Sequence, residues 1–514
     1  MKRDGVLGNI LWKFGERISA QVVTTVVTII LARILDPSDY GIIAIVSIFI
    51  TFANVFVSDG FGSALIQKKN ADNLDFSSVL SFNFIFSLVL YGILFFSAPY
   101  ITEFYGEGFE LLTPVLRILG IRIILSGINS VQQAYVAKKQ IFRKFFLATL
   151  LGTVMSAVAG IWMAYAGYGV WALVAQYLIN TTVDTIVLGI SLKWWPGIKI
   201  SFQRLKKLIS YGWKILVSKL IISLFEEGKA LLIGKIWTKE DLAFYEKGKV
   251  FPALIVTNID ASISSVLFSK MSEISEDPVA VKDACRRSIR FGSYIMAPMM
   301  LGLAAVSMNF VSVVLTDKWL PCVPLLQIFC IYYLFQPIHS ANLQAIKAMG
   351  RSDTFLILEI IKKTFEAIAI VLSIFVFKSV NAIAITAAVL AVAFIFVNAF
   401  PNKKLLNYSI WEQLKDIFPG LIIALIMAGS VYMFNFLEFN KIVVLIAQVL
   451  VGILIYWVLS IVTKNSEYSF LINSAKNIFS KKKTVVAEGP KNDIGDEAIK
   501  EEAQNEDNCS DGGM

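Results

Sequence analysis

The sequence predicts an all-α polytopic membrane protein with 14 transmembrane helices: two six-helix lobes related by an internal repeat, plus two C-terminal helices. Three observations lead to this prediction: composition, the length of the apolar runs, and the distribution of basic residues. Hydrophobic residues make up 56% of the 514-residue chain and charged residues 17%, and the mean hydropathy is +0.68. A soluble domain has about 25% charged residues, so this chain has too few to cover a water-facing surface. A soluble enzyme, a disordered chain and a fibrous protein are therefore excluded.

Apolar runs long enough to cross a bilayer follow one another along the chain. A hydrocarbon core of about 30 Å requires about 20 helical residues at 1.5 Å each. Runs of this length occur near 11–35, 41–66, 79–99, 113–136, 145–165, 170–191, 213–236, 242–268, 287–315, 321–346, 355–376, 382–400, 417–436 and 442–463. Charged residues interrupt the seventh and eighth runs, so the prediction of these two spans depends on the repeat described below.

Basic residues alternate between the two sides of the predicted membrane. On one side, the N-terminal segment and the loops before the C-terminal tail carry 22 Lys and Arg residues. Loops on the other side carry four, namely Lys239, Lys318, Lys378 and Lys441. Because cytoplasmic loops are enriched in Lys and Arg, both termini are predicted to be cytoplasmic. The net charge of +9 is spread among apolar runs, unlike the basic patch of a nucleic-acid-binding protein.

Two copies of one pattern lie 201 residues apart. Trp12-Lys13 recurs as Trp213-Lys214, and Asp59 recurs as Asp260. Six predicted spans separate the copies, so both halves have the same orientation, and an axis along the membrane normal relates them. The predicted organisation is an N-terminal lobe at 1–192, a cytoplasmic linker with an interfacial helix at 193–212, a C-terminal lobe at 213–400, two additional spans at 401–463 and a disordered cytoplasmic tail at 464–514.

The chain has few residues suited to catalysis or metal binding. Its four cysteines form no CxxC pair and it contains one histidine, His339, so the sequence predicts neither a metal site nor a disulfide framework. It has no GxxxxGK[ST] phosphate-binding loop, which leaves ATP hydrolysis unsupported. We therefore expect a protein that is not an enzyme and needs no cofactor.

Charged residues inside the predicted spans are the main functional signal. A charge at the bilayer centre costs about 2.5–3.5 kcal/mol on insertion scales, so it normally faces a bundle interior or a wet cavity. The seventh span places Lys219, Glu226 and Lys229 on one face, and Glu226 and Lys229 are spaced to pair. Glu227 lacks a partner at i+4, which makes it the first candidate for ion coupling. Further candidates for coupling are Glu226, Asp184 and Asp260.

Other membrane charges could line the same cavity. The eleventh span carries a second charged group, and Arg122 lies in the fourth. Arg17 and Arg33 lie near the ends of their spans, where snorkelling to the membrane surface explains them equally well. The members of the eleventh-span group are Glu359, Lys362, Lys363 and Glu366.

One segment resembles a known family. The matching residues are Leu31-Ala32-Arg33, Pro37, Asp39-Tyr40-Gly41, Asp59-Gly60-Phe61 and Ala64-Leu65. They resemble the polysaccharide-exporter branch of the multidrug/oligosaccharidyl-lipid/polysaccharide flippase superfamily, and within it the Wzx-like lipopolysaccharide, colanic-acid and teichuronic-acid exporters.

The resemblance implies two lobes around a central cavity and alternating access driven by an H⁺ or Na⁺ gradient in a bacterial cytoplasmic membrane. The implied substrate is an oligosaccharide linked to undecaprenyl pyrophosphate, and a polysaccharide polymerase and glycosyltransferases are the implied neighbours. Family members often carry cavity Arg or Lys, and the residues of matching type here are Arg17, Arg33, Arg122, Lys219 and Lys229.

Three alternatives remain open at this stage. A small-cation drug exporter of the same superfamily would have a cavity dominated by carboxylates. A membrane glycosyltransferase or polymerase would carry a large external loop with paired carboxylates, whereas the outward loops are short. A non-transporting scaffold would leave the charges within the spans unexplained.

Overall fold

The computed structural model describes residues 21–59, 62, 65–66, 68, 71–193, 197, 199–469 and 471–472. These residues form helices and the segments between them, with no strand. The helices are α1 (Gln21–Ile34), α2 (Pro37–Asn54, followed by a π-helical turn, Val55–Asp59), α3 (Asn73–Tyr105), α4 (Leu112–Lys139), α5 (Phe142–Tyr165), α6 (Val170–Leu192), α7 (Phe202–Ile236), α8 (Lys239–Glu273), α9 (Pro278–Val314), α10 (Asp317–Ala348), α11 (Ser352–Phe377), α12 (Val380–Leu406), α13 (Ile410–Phe436) and α14 (Lys441–Val462).

Polar residues before α3 and α8 determine where these helices begin. Asp72 precedes α3 and accepts a hydrogen bond from the backbone N–H of Asp75, whose own carboxylate bonds back to the Asp72 N–H. Thr238 and Asp241 form the same arrangement at α8. Such capping boxes satisfy N–H groups that the first helical turn leaves without partners. Pro37 begins α2, where its missing N–H breaks no helical hydrogen bond.

Ten helices in the described residues are long and apolar enough to cross a membrane. The protein is thus a multi-pass membrane protein. The other four helices are α1, which is shorter in the described residues, and α7, α8 and α11. These last three carry several charged residues within apolar sequence. The sequence predicts a separate interfacial helix before the seventh span, whereas in the structure a single helix runs from Phe202 to Ile236.

The segments between helices alternate between two groups along the chain, and contacts join segments of the same group. The segments before α3, α5, α7, α9, α11 and α13 form one group, which we call the basic face, and the remaining segments form the opposite face. On the opposite face, the Lys239 ammonium donates to the Gly108 carbonyl at 2.9 Å. On the basic face, Lys138 donates to the Ile66 carbonyl at 2.9 Å. This grouping follows the alternation that the loop charges predict.

The segment before α7 is bound to the start of α3 on the basic face. The Ser201 N–H donates to Ser78 Oγ at 3.0 Å, and Arg204 donates to the Asp72 carboxylate at 2.5 Å. This hydrogen bond from Arg204 lowers the pKa of Asp72 to about 2. Asp75 is fully buried and accepts from Lys68 at 2.5 Å. The connection between the first six helices and the rest of the chain is therefore fixed to α3 by polar contacts.

Buried amides join α10, α12 and α13. Asn342 donates to Gln413 Oε1 at 2.7 Å and accepts from Asn402 Nδ2 at 2.7 Å. All three side chains are fully buried, where an amide without a partner would be costly. The contacts divide the chain into two compact units, 1–453 and 454–514. In the described part of the second unit, the Trp457 indole donates to the Tyr468 hydroxyl at 3.0 Å.

Candidate functional site

The first and second halves of the chain are in direct contact at the opposite face. Trp319 is fully buried, and its indole N–H donates to the Ala32 carbonyl at 2.8 Å. The Arg33 guanidinium donates to the Val313 carbonyl at 3.0 Å. Arg33, which the sequence predicts as a cavity residue, thus lies in the contact between α1 and α9. We call this group of interactions the opposite-face closure.

Gly41 brings α2 and α8 into backbone contact within this closure. A Cβ atom at Gly41 would lie only 2.0 Å from the Lys239 carbonyl oxygen and 2.5 Å from its carbonyl carbon. Real Cβ atoms do not approach backbone so closely, so no larger residue fits here without moving one helix. The glycine is therefore required by the distance between the two helices.

Lys247 of α8 is buried behind the same closure. Its side chain is 5% exposed, and its ammonium lies 4.0 Å from the centre of the Tyr40 ring and 5.3 Å from that of Trp319. Among the described residues, no carboxylate forms an ion pair with it. Two aromatic rings, from α2 and α10, therefore provide the electrostatic stabilisation of this ammonium.

A cavity of about 530 Å³ lies among α2, α4 and α6. On α4 it spans 122–137, the part of that helix nearer the basic face. We call it the polar cavity, because amides and hydroxyls dominate its lining. Its polar lining residues are Asn54, Ser58, Arg122, Ser126, Asn129, Ser130, Gln133, Asn180, Thr181 and Asp184.

Two charged side chains of the polar cavity are held by neutral partners. The Asp184 carboxylate accepts from Asn129 Nδ2 at 3.0 Å and from Thr149 Oγ1 at 3.3 Å. The Arg122 guanidinium donates through Nε to Thr181 Oγ1 at 2.9 Å. Among the described residues, neither charged group forms an ion pair. The structure therefore brings Arg122 and Asp184, both predicted site residues, into one cavity without neutralising them.

A second cavity, of about 240 Å³, lies among α10, α11 and α12. Two of these helices, α10 and α12, come six helices after α4 and α6 in the chain. We call it the charged cavity; its polar lining residues are Tyr332, Gln336, His339, Glu359, Lys362, Lys363, Glu366 and Asn398. The hydrogen-bond partner of His339 lies on α12: Asn398 Nδ2 is 2.9 Å from His339 Nδ1.

Ion pairs connect α7 to the charged cavity. Lys229 contacts Glu366 at 2.6 Å, and Lys363 contacts the other oxygen of Glu366 at 3.1 Å. Lys362 pairs with Glu359 at 2.5 Å. The sequence predicts that Lys229 pairs with Glu226, but the structure pairs it with Glu366. The difference arises from the packing of α11 against α7, which places the Glu366 carboxylate beside Lys229.

Asp260 is connected to the charged cavity through hydroxyl and amide groups. Ser340 donates to the Asp260 carboxylate at 2.7 Å and accepts from Gln336 Nε2 at 3.2 Å. Gln336 itself lines the cavity. Asp260, a predicted coupling residue, is thus connected through Ser340 and Gln336 to the cavity that contains the ion pairs of α11.

The remaining predicted site residues lie elsewhere. Glu227 is half-buried and lies within electrostatic range of Glu246 and Lys249 of α8. Glu226 and Lys219 are exposed. Arg17 lies outside the described residues. In the described part of the chain, no three His, Cys, Asp or Glu residues are grouped as a metal site would require.

Sequence comparison identifies the family. Residues 30–324, more than half of the chain, match the family model described as "Polysaccharide biosynthesis protein". The chain belongs to this family. The match covers α2–α9 completely and includes Arg33, the polar cavity and Lys247.

Several relatives carry names that refer to cell-surface polysaccharides. The teichuronic acid biosynthesis protein TuaB of Bacillus subtilis (strain 168) is 26% identical over 309 residues, 59% of this chain and 62% of TuaB. The chain thus spans about three fifths of TuaB. The succinoglycan biosynthesis transport protein ExoT of Rhizobium meliloti (strain 1021) is 22% identical over 92% of this chain and 96% of ExoT. The lipopolysaccharide biosynthesis protein WzxC of Escherichia coli (strain K12) is 21% identical over 63% of this chain and 66% of WzxC.

Solved structures share the architecture. The lipid II flippase MurJ, in an inward closed conformation, matches with a TM-score of 0.69 at 16% identity, over 90% of this chain and 100% of MurJ. An inward-facing multidrug resistance transporter of the MATE family matches with a TM-score of 0.54 at 16% identity, over 76% of this chain and 96% of that protein. At these identities the likeness concerns the fold, which is that of MurJ and MATE proteins.

Proposed function

We propose that this protein is a flippase that moves a lipid-linked oligosaccharide repeat unit from the inner to the outer leaflet of a bacterial cytoplasmic membrane. In this proposal all fourteen helices cross the membrane, the basic face is cytoplasmic, and both termini lie on that side. The observation that carries the proposal is a pair of cavities, one polar and one charged, inside a membrane protein of the polysaccharide biosynthesis family. Polar head groups do not cross hydrocarbon unaided, and such cavities would replace their hydration.

The charge balance of the charged cavity favours an anionic substrate. Three ammonium groups, of Lys229, Lys362 and Lys363, contact two carboxylates there. The lining itself carries two charges of each sign. Lys229 of α7, which is joined to the lining through Glu366, adds one positive charge that a diphosphate would neutralise. A small cationic drug, the substrate expected for the alternative exporter, would meet this excess of positive charge. We therefore assign the pyrophosphate of undecaprenyl pyrophosphate to this cavity.

The position of the closure supports loading from the basic face. The opposite-face closure brings α1 and α2 against α8–α10, and the polar cavity lies toward the basic end of α4. In the proposed cycle, the substrate enters from the cytoplasmic side and the closure then opens. Rocking of two repeat-related bundles about a fixed site is the usual form of alternating access.

We propose that an H⁺ or Na⁺ gradient drives this cycle and that Glu227 carries the coupling ion. Carboxylates in membrane cavities are common relay groups, and Glu227 lies near Glu246 and Lys249 of the neighbouring helix. Glu226, Asp184 and Asp260 are the other candidates. A polymerase and glycosyltransferases that use the exported repeat unit would be the functional neighbours.

We assign no catalytic step to the chain. Between described helices, the longest connection on the opposite face runs from Gly106 to Leu111. A membrane glycosyltransferase or polymerase, the alternative from another class, would need a larger external platform for a sugar acceptor. The cavities therefore suit passage of a substrate better than chemistry on it.

Reconstitution tests the proposal. Vesicles containing the full-length protein and the lipid-linked intermediate are treated with periodate, which oxidises only glycans on the outer surface. We expect the oxidised fraction to rise faster than in protein-free vesicles, and to rise more slowly for a Lys362→Gln/Lys363→Gln variant. Equal rates with and without protein would refute the function.

A further inference from the structure

The proposed flippase would handle a substrate with two chemically different polar parts, and the structure has two cavities of different chemistry. Resting on that function, we propose that the polar cavity is a carbohydrate subsite that binds the hydroxyl groups of the glycan, with Asn129, Asp184 and Arg122 as its principal contacts. The diphosphate is held separately, in the charged cavity.

The lining of the polar cavity matches the chemistry of sugar hydroxyls. A sugar hydroxyl donates one hydrogen bond and accepts others, so it pairs best with groups that do both. Amides and hydroxyls have this property, and they make up most of the polar lining. The charged cavity, among α10, α11 and α12, has two ammonium and two carboxylate groups beside its neutral polar residues. The part of the substrate that is rich in hydroxyls and the part that is rich in negative charge would thus bind in different halves of the chain.

The two charged residues of the polar cavity retain free hydrogen-bonding capacity. A carboxylate can accept about four hydrogen bonds, and Asp184 receives one at each oxygen, from Asn129 and Thr149. A guanidinium has five N–H donors, and within the described residues only Nε of Arg122 has a bonded partner. Both residues line the cavity. An acceptor and a donor therefore remain available in this cavity for hydroxyl groups of a glycan.

The orientation of these two groups is set before a ligand enters. Gln133 Nε2 donates to Asn129 Oδ1 at 2.5 Å, which directs the Asn129 amide N–H toward Asp184. The Arg122 guanidinium lies 5.5 Å from the centre of the Tyr177 ring. Prior ordering lowers the entropic cost of binding. The cavity volume of about 530 Å³ also falls within the range of about 300–1,000 Å³ typical of small-molecule sites.

Binding measurements with two lipids test the subsite. The full-length protein in nanodiscs is titrated with the lipid-linked intermediate that accumulates in cells lacking this protein, and with undecaprenyl pyrophosphate that carries no sugar. We expect Asp184→Asn and Gln133→Ala to weaken binding of the glycan-bearing lipid about tenfold and to leave binding of the sugarless lipid unchanged. Lys362→Gln, the matched control in the charged cavity, should weaken binding of both lipids. Gln133 is exposed, so its truncation does not endanger folding.

A labelling experiment provides a readout that does not depend on loss of affinity. In a Cys509→Ser background, Ser126→Cys is treated with a maleimide in the presence of each lipid. Protection by the glycan-bearing lipid alone supports the subsite. Equal protection by both lipids, or equal loss of both affinities in Asp184→Asn, overturns it and leaves the flippase proposal intact. Failure of the wild-type protein to bind either lipid would instead overturn the proposed function.

Discussion

The ammonium of Lys247 lies 4.0 Å from the centre of the Tyr40 ring and joins α8 to α2 at the opposite-face closure. Trp319 completes the arrangement from α10, with its ring centre 5.3 Å from the same ammonium. A positive charge is thereby buried between the two halves of the chain without an ion-pair partner among the described residues. The closure therefore contains a desolvated charge, and the two rings offset only part of the cost of burying it.

We expect Lys247→Met to raise the midpoint of thermal unfolding in detergent and to slow export. Burial of an ammonium costs several kcal/mol, whereas a desolvated cation–π contact returns about 2 kcal/mol. Methionine fills similar space without the charge, so the closed state should gain stability. Lys235→Met is the control: this exposed lysine, 4.6 Å from the Phe104 ring centre, should change the midpoint little. A lower midpoint for Lys247→Met would show that the aromatic contacts outweigh the cost of burial.

Gly41→Ala should open the opposite face. The added methyl group would overlap the Lys239 carbonyl, so α2 and α8 must separate. We expect Leu35→Cys, which replaces a buried residue, to react with an impermeant thiol reagent faster in the Gly41→Ala background. Gly92→Ala is the matched control, because a Cβ at Gly92 meets no atom within 4 Å. Unchanged labelling in the Gly41→Ala protein would mean that the helices adjust without opening.

Glu366→Gln should lower stability and export together. Glu366 is paired with Lys229 and Lys363, and loss of one partner of a buried pair costs about 3 kcal/mol. Glu359→Gln, at a carboxylate that is 32% exposed, should cost less. The double variant Lys229→Met/Glu366→Leu should recover part of the lost stability but not the export. A double variant as unstable as the sum of both single variants would argue against a direct Lys229–Glu366 interaction.

Glu227→Gln should abolish gradient-driven transport while permitting slow downhill exchange of substrate in vesicles. Glu226→Gln is the matched control, because Glu226 is exposed and Lys229 pairs with Glu366 instead. We expect Glu226→Gln to retain the pH and ion dependence of the wild-type protein. If Glu227→Gln vesicles retain that dependence as well, the coupling ion binds elsewhere.

Thiol labelling in intact cells tests the orientation. In a Cys509→Ser background, Glu107→Cys should react with an impermeant reagent added outside, and Asp353→Cys should not. Both side chains are exposed and lie on different faces. Glu107 is a better site than Gly106, whose φ of 91° disfavours a residue with a side chain. Labelling of Asp353→Cys from outside would reverse the proposed sidedness.

Much of the helical architecture could be predicted from the sequence, because it depends on local patterns. The predicted runs at 145–165 and 170–191 differ by only a few residues from Phe142–Tyr165 and Val170–Leu192. Contacts such as that of Lys239 with Gly108 also join segments that the loop charges predict to lie on one side. The start of α7 differs, since the polar sequence before 213 continues the helix instead of forming a separate one.

The partners of the charged residues could not be predicted, because they lie far apart in the chain. Helical spacing suggested Glu226 for Lys229, but the carboxylate that binds it is 137 residues away. Asn129 and Asn180 line the polar cavity with Arg122 and Asp184, although these four residues lie on two helices far apart in the chain. The burial of Lys247 between two aromatic rings depends on three helices at once, which no single-helix pattern contains.

The Lys229–Glu366 ion pair also bears on how the protein is made. α7 leaves the ribosome long before α11, so Lys229 reaches the translocon while the carboxylate that will neutralise it has yet to be synthesised. A nascent helix with several charges inserts poorly on its own. In the proposed topology, we therefore expect α7 to stay near the translocon, or with an insertase, until α11 supplies the carboxylate.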